Sequence, residues 1–343
     1  MERPSTDVVV VIPYYNGAHW IERALKSVFT QSMPAQEVVV VNDGSTAKER
    51  TALGELAERY PFRIVDKANG GQGSARNAGV AASSAGFISF LDQDDYYLPH
   101  HIEDLLSIVP ERDPRLGFVY ADIVWADGDG RTVHSNMLHL QPGQHPKTGH
   151  IVHIVGNDLF ILPSASLIRR EAYEAVGGFD EQFTGYEDDD LFLRMYRAGY
   201  TNYFLDRPVT VWCRHAGSTS WTIKMSTSRF RYFKKLVAAF ADDPTLELYY
   251  FRDAILPRFE RHFLNDVERA VMSRSEHLPV LQQILREYYE IVKAQPSISA
   301  DHKSKLRLES FVLTRFPAPA VRFLKNAAKL PVAWKVVHRL RAR

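Results

Sequence analysis

Three carboxylates follow a short apolar run in the first half of the chain. The sequence GFISFLDQDDYYLP, residues 86–99, places Asp92, Asp94 and Asp95 directly after a predicted strand. In an open α/β sheet, ligands bind beyond the carboxyl ends of the strands. Clustered carboxylate oxygens there suit Mg²⁺ or Mn²⁺ bridging to a diphosphate better than zinc or copper. The alternative is an ordinary turn, in which Asp is also common.

Two other polar segments have the composition of binding loops. In VNDGS (41–45), Asp43 can accept a hydrogen bond from a nucleotide base, and Gly44 allows close approach to the backbone. In NGGQGSARN (69–77), backbone donors and Arg76 can lie near a phosphate. Each segment is also compatible with a plain strand-to-helix turn. The second segment follows neither the Walker pattern nor GxGxxG, which disfavours a nicotinamide dehydrogenase.

A third polar segment is an acidic run before a predicted helix. Glu187, Asp188, Asp189 and Asp190 precede helix-compatible residues that reach Ala198. Acids at this position complement the helix dipole, which is one explanation. Four acids exceed what a cap requires. A carboxylate among other carboxylates keeps more proton affinity, so the run also contains a candidate general base.

The elements that must position these residues alternate along the chain. Apolar runs predict strands that are covered on both faces, and apolar residues at helical spacing separate them. The predicted strands are 8–16, 37–45, 62–67, 87–91, 116–125 and 209–215, and the predicted helices include 20–28, 45–59 and 72–84. The pattern predicts an α/β fold with a doubly wound, mostly parallel sheet. Residues 134–156 read as a long loop.

Beyond about residue 224 the pattern becomes helical, so we expect a catalytic domain at 1–222 and a helical region at 223–343. The last 31 residues, 313–343, carry eight Lys and Arg and no Asp or Glu. A basic amphipathic end with Trp334 suits an anionic membrane surface. The alternative is a helix that docks on its own domain.

Composition limits the function further. The 42 Lys and Arg nearly balance the 41 Asp and Glu, which gives no reason to expect a nucleic acid partner. The single cysteine, Cys213, excludes an intramolecular disulfide and fits a reducing compartment. No secretory signal and no apolar stretch near the ~20 residues of a membrane span is visible. We therefore expect a cytoplasmic protein, either free or peripheral on the inner face of the membrane.

The ordered series IPYYN, VNDGS, NGGQGSARN, LDQDD, GYEDDDLFLR and RHAGS resembles the inverting family 2 glycosyltransferases, over residues 7–221. The resemblance implies the GT-A fold, which is Rossmann-like and binds nucleotide-sugars. It assigns Pro13, Tyr15 and Asp43 to the base and ribose pocket, with Asp43 reading uracil. It places Arg76 near the nucleotide.

The same resemblance implies a metal site for Mn²⁺ or Mg²⁺. Asp92 and Asp94 match the DxD pair, with Asp92 toward the ribose or the metal and Asp94 as the direct ligand. Asp95 is left without a defined role. His215 matches a histidine that reaches the metal or the diphosphate in some members, although a lone histidine after a strand is equally often an ordinary packed residue.

The resemblance also implies the catalytic residues. Asp188 is expected to deprotonate the acceptor hydroxyl, and Glu187 to contact the acceptor. The extra Asp189 leaves the register of the base open by one residue. A single displacement with inversion at the anomeric carbon follows.

We therefore expect a hexosyltransferase that uses a UDP-sugar and acts on a hydroxyl of a saccharide or lipid-linked glycan, in bacterial polysaccharide or lipopolysaccharide synthesis. Residues 134–163, with several histidines and Asn157, are expected near the acceptor. A sugar-nucleotide pyrophosphorylase is disfavoured because its glycine-rich loop is missing near the first strand. The remaining alternative is a non-catalytic sugar-nucleotide or carbohydrate-binding protein on the same fold. The retained Asp94 and Asp188 favour the enzyme.

Overall fold

The computed structural model describes residues 6–141, 144–215 and 222–328, and the chain forms two compact units, Met1–Tyr232 and Phe233–Arg343. The strands are β1 (Val8–Tyr14), β2 (Glu37–Asp43), β3 (Arg63–Lys67), β4 (Phe87–Phe90), β5 (Tyr96–Tyr97), β6 (Leu116–Asp127), β7 (Thr132–His134), β8 (Ser166–Arg169) and β9 (Thr201–Arg214). The helices are α1 (Ala18–Phe29), α2 (Ala47–Ala57), α3 (Gln72–Ala81), α4 (His101–Ser107), α5 (Ile151–Gly156), α6 (Arg170–Ala175), α7 (Glu187–Arg197), α8 (Ile223–Ala239), α9 (Leu256–Ser273), α10 (Leu278–Ala294), α11 (Ala300–Arg315) and α12 (Ala318–Ala328).

In the described part of the chain, the nine strands form one sheet in the order β3-β2-β1-β4-β8-β6-β9-β5, with β7 paired to β6. The first four neighbours are all parallel. The β-branched residues of β1 and β2 are buried, and β1 is buried along its whole length. Such continuous apolar runs suit strands that are covered on both faces. The predicted strand-helix-strand crossovers are therefore present, and the carboxyl ends of β1, β2 and β4 meet at one edge.

Beyond β4 the sheet is mixed, so the predicted mostly parallel order applies to its first half and needs correction for the second. β8 runs antiparallel to both β4 and β6, whereas β6 and β9 are parallel. The 14-residue β9 is twice as long as the predicted seven-residue strand 209–215 because it follows β6 through register shifts near Asp122. Segment 134–156, predicted as a loop, contains a short 3₁₀ turn at Leu138–Leu140 and helix α5.

Polar contacts hold α1 and α2 at the edge of the sheet where the carboxyl ends of β1, β2 and β4 meet. The Tyr14 hydroxyl at the end of β1 donates to Glu49 Oε2 at 2.9 Å, and the same oxygen accepts from the backbone N–H of Ala18 at 2.9 Å. One carboxylate thus joins β1 to the first turns of α1 and α2. Thr46 caps α2 by accepting from Glu49 N, as the predicted cap requires.

The second unit is helical. An aromatic cluster forms its core, where the ring of Phe233 packs against Phe259, Phe263 and Tyr288 with centroids 5.2–5.7 Å apart. None of the helices in the described ranges has the length and apolar character needed to cross a membrane. Within the predicted basic segment 313–343, residues 318–328 form α12, and the residues beyond Ala328 lie outside the described part of the chain. Trp221, next to the predicted domain end at residue 222, also lies outside it.

Candidate active site

Asp43, the last residue of β2, is almost fully buried, and three donors surround its carboxylate. Oδ1 accepts from Lys67 Nζ at 2.8 Å and from Gly70 N at 2.9 Å, and Oδ2 accepts from Gly71 N at 2.8 Å. The backbone donors of the glycine segment therefore bind Asp43, which differs from the prediction that they face a phosphate. Because a carboxylate oxygen has two acceptor positions, Oδ2 keeps one for a base N–H.

Pro13 and Tyr15 lie at the carboxyl end of β1. Pro13 is buried, and the Tyr15 side chain is 50% exposed. The Tyr15 backbone is paired with the Gln93 side-chain amide, donating to Oε1 at 2.9 Å and accepting from Nε2 at 3.2 Å. A Cβ on Gly17 would lie 2.2 Å from Gln93 Oε1, so the glycine leaves space for this amide. The end of β1 and the acidic run after β4 are thereby held together.

Asp94 and His215 are brought together by strand pairing. Asp94 precedes β5, which is antiparallel to β9, and His215 follows β9. Their Oδ2 and Nε2 atoms are 2.8 Å apart, and the His215 ring stacks on Trp20 at 4.7 Å. Burial raises the pKa of Asp94, the charge of Asp92 raises it further, and the hydrogen bond from His215 opposes both effects.

Asp95 is a structural residue in this arrangement. It is 2% exposed, and its Oδ1 accepts the backbone N–H of Cys213 in β9 at 2.8 Å. Burial, together with the charge of Asp94, raises its pKa well above the usual range. Cys213 itself is buried in β9.

Arg76 joins two predicted site carboxylates that are far apart in sequence. The guanidinium is 2% exposed and lies 2.7 Å from Asp92 Oδ1 and 3.1 Å from Glu187 Oε1. Gln72 Nε2 adds a second donor to Asp92 Oδ1 at 2.7 Å. Arg76 thus has two carboxylate partners within the protein, and Glu187 has Arg76 as its partner. The expected contacts of Arg76 with the nucleotide and of Glu187 with the acceptor stay predictions.

The turn before α7 explains how Glu187 reaches Arg76. Asn77, the next residue of α3, donates to Phe179 O and accepts from Phe179 N, both at 2.9 Å. Gly178 adopts φ +65°, and a Cβ there would lie 2.8 Å from Asn77 Oδ1. This close fit holds the turn against α3, and α7 therefore begins beside Arg76.

Asp188 follows Glu187 in the first turn of α7, and its carboxylate accepts the N–H of Asp189. Burial, with the charge of Glu187 as the second cause, raises the pKa of Asp188 to about 7. The next two acids have structural partners, because Asp189 accepts from Leu159 N at 3.0 Å and Asp190 binds Arg194 at 2.8 Å. Of the two acids between which the predicted base was left open, Asp189 therefore has a structural partner, and Asp188 has the raised pKa.

The arrangement offers a carboxylate with a near-neutral pKa, a carboxylate–imidazole pair and a buried carboxylate that three donors hold in place. Four residues that sequence reasoning missed support it: Trp20, Lys67, Gln72 and Asn77. Lys67 had a recognisable signal, since it ends β3 in register with Asp43 at the end of β2. The other three lie on helices, where the sequence gives no indication of the partner.

Comparison with known proteins agrees with this geometry. The family model described as glycosyl transferase family 2 matches residues 9–177, and a model described as the N-terminal domain of galactosyltransferase matches residues 163–216. The fold and these matches define a glycosyltransferase domain. Residues 9–177 belong to glycosyl transferase family 2.

Two curated relatives are named uncharacterized glycosyltransferases. The one from Nostoc sp. is 33% identical over 180 residues, which are 50% of this chain and 54% of the relative. The one from Rickettsia prowazekii is 28% identical over 224 residues, covering 63% of this chain and 66% of the relative. The chain thus spans less than two thirds of the length of these relatives.

Solved structures show the same GT-A fold, including a helical C-terminal region. S. aureus TarS 1–349 in complex with UDP-GlcNAc gives a TM-score of 0.64 at 17% identity, covering 93% of this chain and 92% of that one. The mannosyltransferase PcManGT from Pyrobaculum calidifontis, in complex with GDP-Man and Mn²⁺, gives 0.54 at 18% identity, covering 91% and 87%.

Proposed function

We propose that the protein is an inverting glycosyltransferase that moves a sugar from a nucleotide-sugar to a hydroxyl of a saccharide or a lipid-linked glycan. The observation that carries the proposal is Asp188, whose pKa is raised to about 7 at the start of α7. Its neighbour Glu187 is tied through Arg76 to Asp92 of the acidic run after β4. The proposed general base for the acceptor hydroxyl is therefore connected, through Glu187 and Arg76, to the carboxylates on the donor side.

Asp188 has the properties of a general base for an alcohol. A carboxylate with a pKa near neutrality is partly ionised at physiological pH and binds a proton more strongly than an ordinary Asp. In the proposed reaction, Asp188 takes the proton of the acceptor hydroxyl while its oxygen attacks the anomeric carbon. The bond from that carbon to the diphosphate breaks on the opposite face, so the configuration inverts. Such base catalysis contributes about 100- to 10,000-fold.

On the donor side, Asp43 is proposed to recognise the nucleotide base. Its buried carboxylate is fixed by Lys67 and by two backbone N–H groups, so its remaining acceptor position is preorganised. A uracil N3–H is a suitable donor to this position. Pro13 and the exposed Tyr15, at the neighbouring strand end, are proposed to contact the base and ribose. The UDP-GlcNAc bound by S. aureus TarS supports a UDP-sugar as the donor, and the GDP-Man bound by PcManGT makes a GDP-sugar the second candidate.

Asp94 and His215 are the proposed holders of a divalent cation. Carboxylate oxygens such as those of Asp94 suit Mn²⁺ or Mg²⁺, and His215 Nε2 lies 2.8 Å from the Asp94 carboxylate as a further donor. Asp92 lies close enough for its charge to raise the pKa of Asp94. When bound, such a cation neutralises charge on the departing diphosphate. The protein's own contribution is to keep Asp94 and His215 together through the β5–β9 pairing.

The proposed setting is bacterial cell-surface glycan synthesis at the inner face of the membrane. The Nostoc and Rickettsia relatives support a bacterial setting. The basic segment 313–343 supports contact with anionic lipid, and the single cysteine supports a reducing compartment. In the non-catalytic alternative, the same pocket binds a sugar-nucleotide without turnover.

The test combines donor binding with transfer. Thermal unfolding of the full chain is followed with a panel of nucleotide-sugars, each with and without Mn²⁺, and transfer of the donor that binds is then measured on a panel of saccharide acceptors. We expect one UDP-sugar to raise the unfolding midpoint in the presence of Mn²⁺. Asp94→Ala should lose the Mn²⁺-dependent part of that shift.

Paired variants then separate catalysis from binding. Asp188→Asn should keep the donor-induced shift and lose transfer by about 100-fold or more. Asp189→Asn is the matched control, because its amide oxygen still accepts from Leu159 N, and it should retain both. Donor binding by wild type without any transfer or donor hydrolysis would favour the non-catalytic alternative.

A further inference from the structure

A second cluster of metal-ligating side chains lies outside the site described above. Asp122 belongs to β6, at the register shifts with β9, His139 to the 3₁₀ turn Leu138–Leu140, and Asp206 to β9. One ligand atom from each residue lies within 4.8 Å of the other two. Among residues 6–141, 144–215 and 222–328, this is the one group of three His, Cys, Asp or Glu that meets this distance.

The Asp122 carboxylate is buried and half satisfied. The side chain is 0% exposed, and Oδ1 accepts from Ile123 N at 2.7 Å and from Leu138 N at 2.8 Å. Oδ2 is also buried but has no hydrogen-bond partner, and it lies 3.7 Å from His139 Nε2. A buried carboxylate oxygen without a partner is strongly unfavourable. Because this oxygen lies near His139 and Asp206, it is available as a ligand to a cation that the other two side chains also reach.

A proton on His139 does not satisfy this cluster. Nε2 lies 2.6 Å from Asp206 Oδ1, so its single N–H is used there, and 3.7 Å is too long for a hydrogen bond to Asp122 Oδ2. In a tetrahedral zinc site with bonds near 2.1 Å, ligand atoms lie about 3.4 Å from one another. The distances from His139 Nε2 to Asp206 Oδ1 and to Asp122 Oδ2, 2.6 Å and 3.7 Å, lie on either side of this value. His139 and Asp206 are 55% and 65% exposed, so both can adjust.

We infer that Asp122 Oδ2, His139 Nε2 and a carboxylate oxygen of Asp206 bind a divalent transition-metal ion of the zinc class. An imidazole with two carboxylates is a common zinc donor set, and three protein ligands leave a position for water. The imidazole favours zinc over magnesium or calcium.

The site joins three separate elements of the first unit. Its ligands come from β6, from the 3₁₀ turn that follows β7, and from β9. A bound ion therefore ties the segment after β7 to the sheet. The turn Leu138–Leu140 is part of residues 134–163, which are expected on the acceptor side, so the ion organises that region if the proposed function holds. The binding itself is independent of the proposed function.

The probe is Zn²⁺ alone, titrated calorimetrically into the full chain after removal of metal by a chelator and without any nucleotide-sugar. Thermal unfolding with and without Zn²⁺ gives a second readout, and Co²⁺ reports tetrahedral coordination by its visible absorption. The variants are His139→Ala and Asp206→Ala, whose exposed side chains can be removed without disturbing the core. His277→Ala, a 46% exposed histidine in the second unit, is the matched control.

We expect wild type and His277→Ala to bind one Zn²⁺ at this site and to unfold at a higher temperature in its presence. His139→Ala and Asp206→Ala should each lose more than about tenfold in affinity. Asp94→Ala should leave Zn²⁺ binding at the Asp122 site unchanged. This result would distinguish the Asp122 site from the proposed cation site at Asp94 and His215. Equal Zn²⁺ binding by wild type and His139→Ala, or loss of all Zn²⁺ binding in Asp94→Ala, would overturn the inference.

Discussion

The two acidic runs of the first unit look alike in sequence but are held differently. After β4, Asp95 is fixed by a backbone N–H of β9, and Asp94 pairs with a histidine. At the start of α7, Glu187 is fixed by a buried arginine, and Asp188 has a pKa raised to about 7. In each run, most carboxylates have structural partners. The comparison shows that the partner, rather than the spacing, separates a structural carboxylate from a reactive one.

Arg76 is where the two runs meet, and its removal is the strongest way to break the comparison. Arg76→Ala should lower the free energy of unfolding by about 3–5 kcal/mol, because Asp92 and the buried Glu187 lose their cation. Transfer activity should be lost as well. Urea unfolding measures the first effect, and the double variant Arg76→Met with Glu187→Gln should recover part of the stability. A loss below about 1 kcal/mol would show that the bridge is not buried in solution.

The raised pKa of Asp188 distinguishes it from the carboxylates that have structural partners, and it predicts how transfer depends on pH. If Asp188 is the base, its ionised form is required, so transfer under kcat/KM conditions should rise about tenfold between pH 6 and pH 8. The midpoint of this rise in kcat/KM should lie near pH 7. A pH–rate profile on wild type checks this, and the residual activity of Asp188→Asn should lack the step. A flat profile over this range would remove Asp188 from the base role.

The same raised pKa predicts an effect on stability. The pKa rises from 3.8 when unfolded to about 7 when folded, so the protonated form favours folding and stability falls as pH rises through this window. Asp188→Asn cannot ionise, and its unfolding midpoint should exceed that of wild type increasingly from pH 4 to pH 7. Above pH 7 the difference should become constant. An Asn variant less stable than wild type at pH 8 would contradict this.

Gln72 provides a smaller test on the donor side. It donates one of the two hydrogen bonds that Asp92 Oδ1 receives, at 2.7 Å. Gln72→Ala should lower the free energy of unfolding by about 1–2 kcal/mol, because Arg76 still neutralises the carboxylate. Urea unfolding of this variant beside Arg76→Ala measures both, and an equal loss in the two would show that charge is not what distinguishes them.

The first half of the fold was predictable because its information is local. Apolar β-branched runs and a helical spacing of 3.6 residues indicate β1, α1 and β2 without reference to the rest of the chain. The antiparallel position of β8 between β4 and β6 was not predictable from local sequence. It depends on which strand edges remain unpaired after the parallel half of the sheet has formed. The length of β9 likewise follows from its partner β6.

The site divides in the same way. Asp43, Asp94 and Asp188 were recognisable because polar residues at strand ends and helix starts are local features. The contact between Arg76 and Glu187 was not recognisable from the sequence. Glu187 lies 111 residues away and reaches Arg76 only because Asn77 holds the turn before α7. The structural contacts of Asp189 and Asp190 are equally tertiary. Residue types thus indicated a cluster of carboxylates, and packing determines which of them have structural partners.

The buried bridge of Arg76 has an evolutionary consequence. A substitution at Arg76 leaves Asp92 and the buried Glu187 without their cation, and a substitution at either acid leaves the buried guanidinium with one carboxylate instead of two. Each such intermediate along a mutational path is expected to be less stable than the intact bridge. We therefore expect these three positions to change together or not at all among descendants of a common ancestor. Divergence in donor or acceptor preference should then accumulate at exposed positions such as Tyr15, where one replacement can be tolerated at a time.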